Sequence, residues 1–557
     1  MRTSTADSDT PTDPNDPYAR EGQIFPRLDD DQIKRMLDYG QEEDLQDGTM
    51  LFERGQRGVD FFLVIEGHVE IIDREADGSE KVITTHGPRQ FTGELDLFNN
   101  HKILVDGRTK GRTRVARLNR DQFRRMSSTE QDIGEIIMRA FILRRSGFII
   151  HAEAGVTLIG EVGDRDVIRI NRFLSRNGYP VTVCGKDTPA GQELIATAQV
   201  DRSCPAIVRT AEGDVHANPS TSELADLLGL TEALEADHVY DVAIVGAGPS
   251  GLSACVYAAS EALDTIVIET EAPGGQAGTS SKIENYLGFP TGISGQALAG
   301  RAWIQGQKFG ATFAIARPAT GIYQDGDEFH VKRDGAEEIR ARSVILACGA
   351  TYRKLDHLDG YAAYEGQGIH YAATALEAQF CAGTEAVVIG GGNSAGQAAV
   401  FLSRHASHVH VLVRGTGLAD SMSDYLVSRI EQSPRITLHT RTELTALHGE
   451  RLLERVTWRN RDSGAETSRD VPNIFVMIGA VPNTAWMKNC VELDTRGFVR
   501  TGTALGHREG SFASSVPGIF AVGDVRSGSV KRVASGVGEG SVCISAVHEF
   551  LAGFAED

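Results

Sequence analysis

The first quarter of the chain alternates apolar and polar positions in short runs that are broken by glycines. From Phe25 to about Val115, stretches such as "FFLVIEGHVEII" have the period-two pattern of half-buried antiparallel strands. In "TEQDIGEIIMRAFILRRSGFII" the apolar residues then recur at helical spacing. We therefore predict a β-roll with a C-terminal helix over residues 23–150. The polar, acidic segment before it, residues 1–22, is predicted to be a disordered tail.

A second, shorter pattern of strands and helices covers residues 151–231. The strand "GVTLIGE" is followed by a helix through "RDVIRINRFLSRNG" and by the strand "PVTVCG". A further strand, a hairpin and a helix lie within "CPAIVRTAEGDVHANPSTSELADLLGL". This order predicts a small α/β domain, with a linker at 232–239.

The remainder of the chain, from Tyr240 onward, is predicted to be one large α/β region. Two of its apolar strands, "YDVAIVG" and "AVVIGG", each open into a glycine turn and then a helix. Such strand–turn–helix units are typical of dinucleotide-binding folds. We predict two of them, the second inserted into the first, over residues 240–353 with 478–557 and over residues 354–477.

Composition and charge narrow the classes of partner. The formal net charge of −20 over 557 residues disfavours nucleic acid, because phosphate binding needs a basic face. No apolar run approaches the roughly 18 residues of a membrane span, and the start of the chain lacks an apolar signal core. No two of the seven cysteines lie within three residues of one another, so no metal site is expected. We predict a cytoplasmic protein with reduced thiols.

The first glycine turn has the spacing of a nucleotide site. In Gly-x-Gly-x-x-Gly, the first glycine permits the turn, the second admits a pyrophosphate and the third lets helix and strand pack. Glu269 ends the next strand, where an acidic group meets a ribose hydroxyl. The candidate residues of the turn itself are Gly246, Gly248, Pro249, Ser250 and Gly251.

The second glycine turn repeats this spacing with alanine in third place. Its candidate residues are Gly390, Gly392, Asn393, Ser394 and Ala395. The strand that follows ends at Arg414 rather than at an acid. Arginine attracts the 2′-phosphate that glutamate repels, so NADPH is favoured over NADH. The alternative is that Arg414 is a solvated surface arginine.

Residues 238–557 resemble the thioredoxin reductase family of flavoproteins. The resemblance lies in both glycine turns and in the segments "PGGQAGTSSKIENYLGFP" and "SVPGIFAVGDVRSGSVKRVASGVGEGS", in the family's order. It implies FAD and NADPH as cofactors, and commonly a homodimer. It also implies further candidate FAD neighbours, which are Gly275, Gln276, Asn285, Gly523, Asp524, Arg532, Val533 and Ala534. The family's Arg-Gln-Ala is "RVA" here, so Val533 could contact the flavin only through its backbone.

This chain lacks the redox dithiol of that family. Where family members have Tyr-Cys-Ala-Thr-Cys, the sequence has Tyr371, Ala372, Ala373, Thr374 and Ala375. Alanine cannot attack or resolve a disulfide. Cys381 is the nearest thiol and has no partner at dithiol spacing, so we interpret it, like Cys348 in the connector "VILACGA", as a packing residue.

The β-roll and the small α/β domain each resemble a known family only in part. Residues 151–231 resemble a thioredoxin or glutaredoxin fold, with Pro205 in the place of its cis-proline, but "EVGDRD" stands where the redox cysteines belong. The β-roll resembles a cyclic-nucleotide-binding domain, with Gly93 and Glu94 at the start of its phosphate cassette. Asp106 has the wrong charge for a phosphate, and Arg108 is out of register. Binding of a cyclic nucleotide and a purely structural role both stay open.

The predicted fold class is therefore multidomain α/β, with two Rossmann-like FAD/NAD(P)-binding domains preceded by a β-roll and a small thioredoxin-like α/β domain. The predicted function is an FAD-dependent NAD(P)H oxidoreductase that passes electrons to a non-disulfide acceptor, such as a ferredoxin-like protein, a quinone or O₂. One alternative is a redox or nucleotide sensor with little turnover. Another is a thioredoxin-disulfide reductase that uses distant cysteines such as Cys204 and Cys381.

Overall fold

The computed structural model describes most of the chain. The described residues are 17–74, 79–93, 97, 102–151, 155–161, 163–198, 200–231, 234–235, 237–280, 282–371, 373, 375–419, 422–487, 489–506 and 512–553. The chain divides into two compact units, Met1–Val162 with Arg169–Ala233, and Gly163–Ile168 with Leu234–Asp557. None of the helices within the described ranges is long and apolar enough to cross a membrane.

The first part of the chain is an antiparallel β-roll flanked by helices. Its strands are β1 Gln41–Leu45, β2 Met50–Phe52, β3 Phe61–Arg74, β4 Glu80–His86 and β5 Asp106–Leu118, in the order β1-β5-β3-β4 with β2 against β5. Its helices are α1 Glu21–Ile24, α2 Asp30–Leu37, α3 Arg120–Thr129 and α4 Gln131–His151. Capping boxes at Asp29 and Asn119 fix the starts of α2 and α3. The core is aromatic, because Phe61, Phe91 and Phe123 are fully buried in it.

The segment predicted as a disordered tail is partly ordered. Residues 17–20 form a 3₁₀ turn that leads into α1. The ring of Tyr18 packs on Gly147 of α4, where an added Cβ would lie 2.9 Å from the ring. It also lies 4.9 Å from the His151 ring. The tail prediction through Gly22 is therefore wrong for residues 17–22, because one aromatic side chain anchors a segment whose composition is otherwise polar.

The next elements form a four-stranded sheet with three helices. The strands are β6 Val156–Gly160, β7 Val181–Cys184, β8 Ala206–Arg209 and β9 Val215–Ala217, and the helices are α5 Arg165–Arg176, α6 Pro189–Ala198 and α7 Thr221–Leu227. The sheet order is β7-β6-β8-β9, with β6 parallel to β7 and the other two pairs antiparallel. The peptide bond before Pro205 is trans, unlike the cis-proline of the fold that the sequence resembles.

The large C-terminal region starts with a mixed sheet. Its elements are β10 Val239–Val245, α8 Pro249–Ser260, β11 Thr265–Glu269, α9 Gly295–Lys308, β12 Thr312–Ile315, β13 Ala319–Asp325, β14 Glu328–Arg333, β15 Ala336–Leu346 and β16 Ala350–Tyr352. The strand order is β12-β11-β10-β15-β14-β13. The first four strands are parallel, whereas β13, β14 and β15 form an antiparallel meander. The carboxyl ends of β10 and β11 thus share one edge of the sheet.

A second parallel sheet is inserted into the first. Its region contains β17 Ile369–His370, α10 Ala375–Phe380, β18 Glu385–Ile389, α11 Asn393–Leu402, β19 His408–Leu412, α12 Asp424–Glu431, β20 Ile436–His439, β21 Thr442–His448, β22 Arg455–Asn460, β23 Glu466–Arg469 and β24 Asn473–Val476. The parallel order is β17-β24-β18-β19-β20, while β21, β22 and β23 form a separate antiparallel meander.

The last elements return to the first sheet. They are β25 Ala480–Pro482, β26 Ile519–Ala521 and α13 Val533–Ala552. Strand β25 pairs with β16 at the crossing between the two sheets, and β26 pairs in parallel with the end of β15. Helix α13 packs on α8 through the Ser253 hydroxyl, which donates to the Val537 carbonyl at 2.7 Å. The chain thus leaves the first sheet after β15 and completes it with β26.

Candidate functional site

The first glycine turn has both the tight packing and the open space that a dinucleotide needs. Gly246 has φ +107°, and an added Cβ there would lie 2.5 Å from the Ala347 carbonyl oxygen. A Cβ on Gly251 would lie 1.9 Å from the Gly246 carbonyl oxygen. A Cβ on Gly248 would have no heavy atom within 4 Å. Packing therefore requires the outer two glycines, while the middle one borders open space at the start of α8.

The charges at this turn fit the ADP half of a dinucleotide. Helix α8 starts at Pro249, whose missing N–H costs nothing at the first helical position, and its N-terminus favours an anion. The Glu269 carboxylate at the end of β11 accepts the N–H of Ala247 at 2.8 Å and that of Glu271 at 3.0 Å. The acid is thereby fixed beside the turn, where it suits a ribose hydroxyl and repels a 2′-phosphate.

The segment that resembles a flavin contact lies against the same turn. The Gly274 N–H donates to the Ala247 carbonyl at 2.7 Å. Gly275 has φ +53°, and an added Cβ would lie 3.0 Å from Gly248 Cα. The Gln276 amide donates to the Ala350 carbonyl. Asn285, the fourth candidate of this segment, is exposed farther along the loop.

The C-terminal signature packs on the first turn of α8. Gly523 has φ +73°, and an added Cβ would lie 2.2 Å from the Ser250 hydroxyl oxygen. Asp524 follows in a half-buried position, and burial raises its pKa. Arg532 is the N-cap of α13 and Val533 is its first residue. Ala534 is exposed in the first turn of that helix.

Two residues that sequence reasoning missed stabilise this signature. The Glu539 carboxylate on α13 pairs with the Arg526 guanidinium at 2.6 Å and accepts the Gly523 N–H at 2.6 Å. Both charged side chains are largely buried, with 13% and 20% exposed. Glu539 thus holds both ends of the turn that contains Asp524. No sequence motif signals this pair, because its members are thirteen residues apart and meet only after α13 folds back.

The second glycine turn has the same construction at the end of β18. Gly390 has φ +140°, and an added Cβ would lie 2.2 Å from the Met477 carbonyl oxygen. Gly392 is the N-cap of α11, and Ala395 in third place is fully buried. The Asn393 side-chain oxygen accepts the Ser423 N–H at 2.8 Å, whereas Ser394 is exposed. The turn is therefore a second cradle at a helix N-terminus.

Arg414 lies at the edge of this second sheet. It lies two residues after the end of β19 and is exposed to solvent. In a Rossmann fold, the residue at this strand end faces the adenosine ribose. The position thus suits a 2′-phosphate.

The region of the absent dithiol is held by hydrogen bonds. His370 is buried, and its Nε2 lies 2.9 Å from the Asn473 side-chain oxygen. The Tyr371 hydroxyl donates to Glu365 at 2.5 Å, and its ring is parallel to that of Tyr352 at 6.0 Å. Ala372 and Thr374 lie outside the described residues, so only their identities in the sequence bear on the dithiol.

The cysteines of the C-terminal region have raised pKa values; Cys255, Cys381 and Cys543 are buried, whereas Cys348 and Cys490 are partly exposed. Burial raises the pKa of Cys348 and of Cys381 to about 12. Burial also raises the pKa of the other three, which are Cys255, Cys490 and Cys543. All seven cysteines of the chain are free. Within the described ranges, no group of three His, Cys, Asp or Glu side chains could hold a metal ion.

The interior of the β-roll is small and apolar. An added Cβ on Gly107 would lie 2.3 Å from the ring of Phe52, so this ring packs directly against the Gly107 backbone. Arg108 is paired with Glu70 at 3.3 Å and with Glu80 at 3.0 Å. An apolar cavity whose lining includes Phe52, Gly93 and Val105 measures about 40 Å³, enough for no more than a few water molecules. Glu94, the candidate ribose contact, lies outside the described residues.

Comparison with protein families gives two matches. Residues 240–540 match the pyridine nucleotide-disulphide oxidoreductase family, and residues 42–130 match the cyclic nucleotide-binding domain. Thioredoxin reductase of Bacillus subtilis is 32% identical over 316 residues, which are 57% of this chain and 96% of that relative. Thioredoxin reductase of Treponema pallidum is 34% identical over 312 residues, 56% of this chain and 97% of the relative.

Comparison with solved structures also gives a thioredoxin reductase as a similar protein. Thioredoxin reductase of Lactococcus lactis in its FR conformation superposes with a TM-score of 0.52 and 28% identity, covering 56% of this chain and 99% of that one. The predicted α/β fold class with two Rossmann-like domains is confirmed, as is the resemblance of the reductase region and of the cyclic nucleotide-binding domain, and the predicted cofactors are those that the family uses, FAD and NADPH. The chain belongs to the pyridine nucleotide-disulphide oxidoreductase family, as a thioredoxin reductase-like oxidoreductase that carries a cyclic nucleotide-binding domain ahead of its reductase region.

Proposed function

We propose that this protein oxidises NADPH and delivers the electrons, through bound FAD, to an acceptor that is not a protein disulfide. The observation that carries this proposal is the state of the thiols. The sequence has alanine at both dithiol positions, and desolvation raises the pKa of all five cysteines of the reductase region. A disulfide reductase needs a thiolate near neutral pH.

The FAD site is proposed to form around the first glycine turn. The N-terminus of α8 would hold the pyrophosphate, and Glu269 would hold the adenosine ribose. The candidates of the C-terminal signature would line the flavin side, with Glu539 fixing the turn at Asp524. When bound, FAD accepts a hydride from a nicotinamide and releases electrons to a second substrate. The side chains around it have to bind, orient and exclude water.

The NADPH site is proposed to form around the second glycine turn. The N-terminus of α11 would hold the pyrophosphate, and Arg414 would face the 2′-phosphate. The proposed domain limits follow from these sites, with FAD bound by residues 240–353 and 478–557, and NADPH by residues 354–477. Residues 151–231 are proposed to be a thioredoxin-like domain, which the sheet order of β6 to β9 supports.

The acceptor is tested by steady-state assays of NADPH oxidation with four oxidants. These are O₂, a benzoquinone, a ferredoxin, and a thioredoxin coupled to a chromogenic disulfide. We expect turnover with at least one of the first three and none that depends on thioredoxin. A double variant, Cys204→Ala with Cys381→Ala, serves as the control for distant cysteines. Turnover that requires thioredoxin and is lost in this variant would contradict the proposal.

The β-roll is proposed to be a structural module that binds no cyclic nucleotide. Support comes from the Phe52 ring against Gly107, the two carboxylates that occupy Arg108, and the cavity of about 40 Å³. Calorimetric titration of the full-length protein with cyclic AMP and cyclic GMP should give no binding heat. Saturable binding of either nucleotide would show that the interior opens. The homodimer and the cytoplasmic location stay predictions from the family resemblance and the composition.

A further inference from the structure

The loop that follows β19 is fixed by the turn between β20 and β21. The Val413 N–H donates to the His439 carbonyl at 2.9 Å, and the Thr442 N–H donates to the Val413 carbonyl at 2.9 Å. Between these two bonds, the Arg441 N–H donates to the Gly415 carbonyl at 2.9 Å. Three successive backbone bonds thus place Arg441 beside the residue that follows Arg414. The two arginines are 27 positions apart in sequence and share one edge of the sheet.

The backbone at Arg441 is unusual for arginine. Its φ is +52°, in the left-handed region that glycine, asparagine and aspartate adopt most readily. A turn that had only to reverse the chain would be served better by one of those residues. Such outliers cluster at sites that bind ligands, which makes the identity of this side chain a question of function.

We propose that Arg441 acts with Arg414 to bind the 2′-phosphate of NADPH, and so sets the preference for NADPH over NADH. The inference rests on the proposed NADPH site at the second glycine turn. The end of β19 is where a Rossmann fold reads the adenosine ribose, and this chain has a single arginine in the loop "VRGTG" there. Arg441 supplies the second guanidinium from a neighbouring strand connection. Two guanidinium groups match a dianionic phosphate in charge and in hydrogen-bond geometry.

The present partner of Arg441 does not prevent this role. Its guanidinium lies 2.8 Å from the Asp462 carboxylate, and the two side chains are 49% and 58% exposed. An ion pair as exposed as this contributes little free energy, so the guanidinium can exchange it for a phosphate. The neighbouring Arg459 and Arg461 both pair with Glu443, at 3.1 and 3.6 Å, whereas Arg441 is bonded through its backbone N–H to Gly415 of the loop.

The test is a calorimetric titration of the full-length protein with 2′,5′-ADP and with 5′-AMP, two fragments that differ only in the 2′-phosphate. In Arg441→Asn the charge is lost, while asparagine tolerates the left-handed backbone. We expect the affinity for 2′,5′-ADP to fall about tenfold, as for loss of one charge-assisted hydrogen bond, with 5′-AMP affinity unchanged. Retained 5′-AMP binding also shows that the variant is folded.

The matched control is Arg435→Asn. Arg435 is exposed at the opposite end of β20, where its guanidinium donates to the Ser403 carbonyl at 3.4 Å. The Arg435→Asn variant should bind both fragments with the affinity of the wild type. Equal 2′,5′-ADP affinity in wild type and Arg441→Asn would overturn the proposed role of Arg441 but not the proposed NADPH site. A wild-type protein that binds neither fragment would overturn the proposed NADPH site, and the role of Arg441 with it.

Discussion

The Glu539 carboxylate joins Gly523 and Arg526 into one unit. One of its oxygens accepts the Gly523 N–H at 2.6 Å, and the other lies 2.6 Å from the Arg526 guanidinium. Because both charged side chains are largely buried, removal of one would leave the other without its compensating charge. The helix that packs on the first glycine turn thereby also sets the position of Asp524.

Replacing Glu539 should weaken both the fold and FAD retention. In Glu539→Ala we expect a loss of about 2 kcal/mol in the free energy of unfolding, because the Arg526 charge and the Gly523 N–H lose their acceptor. Glu539→Gln keeps an acceptor for the N–H and should lose less. Urea unfolding and FAD dissociation constants give the two readouts. Glu549→Gln, an exposed acid on the same helix, is the control, and equal effects in Glu539→Ala and this control would refute the account.

Substitutions at two of the three glycines of the first turn, Gly251 and Gly248, should have different effects. Gly251→Ala places a Cβ 1.9 Å from a carbonyl oxygen, so we expect destabilisation by more than about 3 kcal/mol. Gly248→Ala meets no protein atom within 4 Å, so the chain should fold normally while its methyl group enters the proposed pyrophosphate space. We expect normal thermal unfolding of the apoprotein and at least about tenfold weaker FAD binding. Normal FAD binding in Gly248→Ala would show that the FAD pyrophosphate does not bind at this turn.

Acid should destabilise the inserted domain through His439. Burial, with the nearby charges of His410 and Arg469, lowers the pKa of His439 to about 4, whereas an unfolded histidine titrates near 6.5. Between these values the unfolded chain binds more protons, so stability falls as the pH drops from about 6.5 towards 4. In His439→Gln, urea midpoints should depend less on pH in this window. An unchanged slope would contradict the prediction, and His405→Gln, an exposed histidine, is the control.

Cys381 should prove dispensable for electron transfer. It is fully buried among apolar side chains, and burial raises its pKa to about 12. Cys381→Ala should therefore lower stability by about 1 kcal/mol through lost packing, with the rate of NADPH oxidation within twofold of the wild type. Thermal unfolding and steady-state kinetics measure the two effects. A lower rate of NADPH oxidation without a loss of stability would indicate that the Cys381 thiol takes part in the reaction.

Sequence reasoning located the parts of the site that depend on local spacing. Gly246, Gly248 and Gly251 lie within one turn and the start of one helix, so their spacing alone predicts the cradle. Insertion of the second sheet into the first followed from the order of the motifs, and the structure has β15 and β26 paired on either side of the insertion.

The features that were missed depend on contacts between distant segments. Glu539 meets Gly523 only because α13 packs on α8, and Arg441 meets Gly415 only through the register of adjacent strand ends. The tail prediction failed at Tyr18 for the same reason, because the stabilising contact with Gly147 is more than a hundred residues away in the chain.

In the proposed reaction, NADPH reduces the bound flavin and no protein thiol takes part. It is tested most directly by mixing anaerobic protein with NADPH, and separately with NADH, in a stopped-flow spectrometer, and following flavin absorbance. We expect rapid bleaching with NADPH, slower bleaching with NADH at equal concentration, and no change of either rate after alkylation of accessible thiols. A flavin that stays oxidised under saturating NADPH would rule out this reaction and favour a sensor with little turnover.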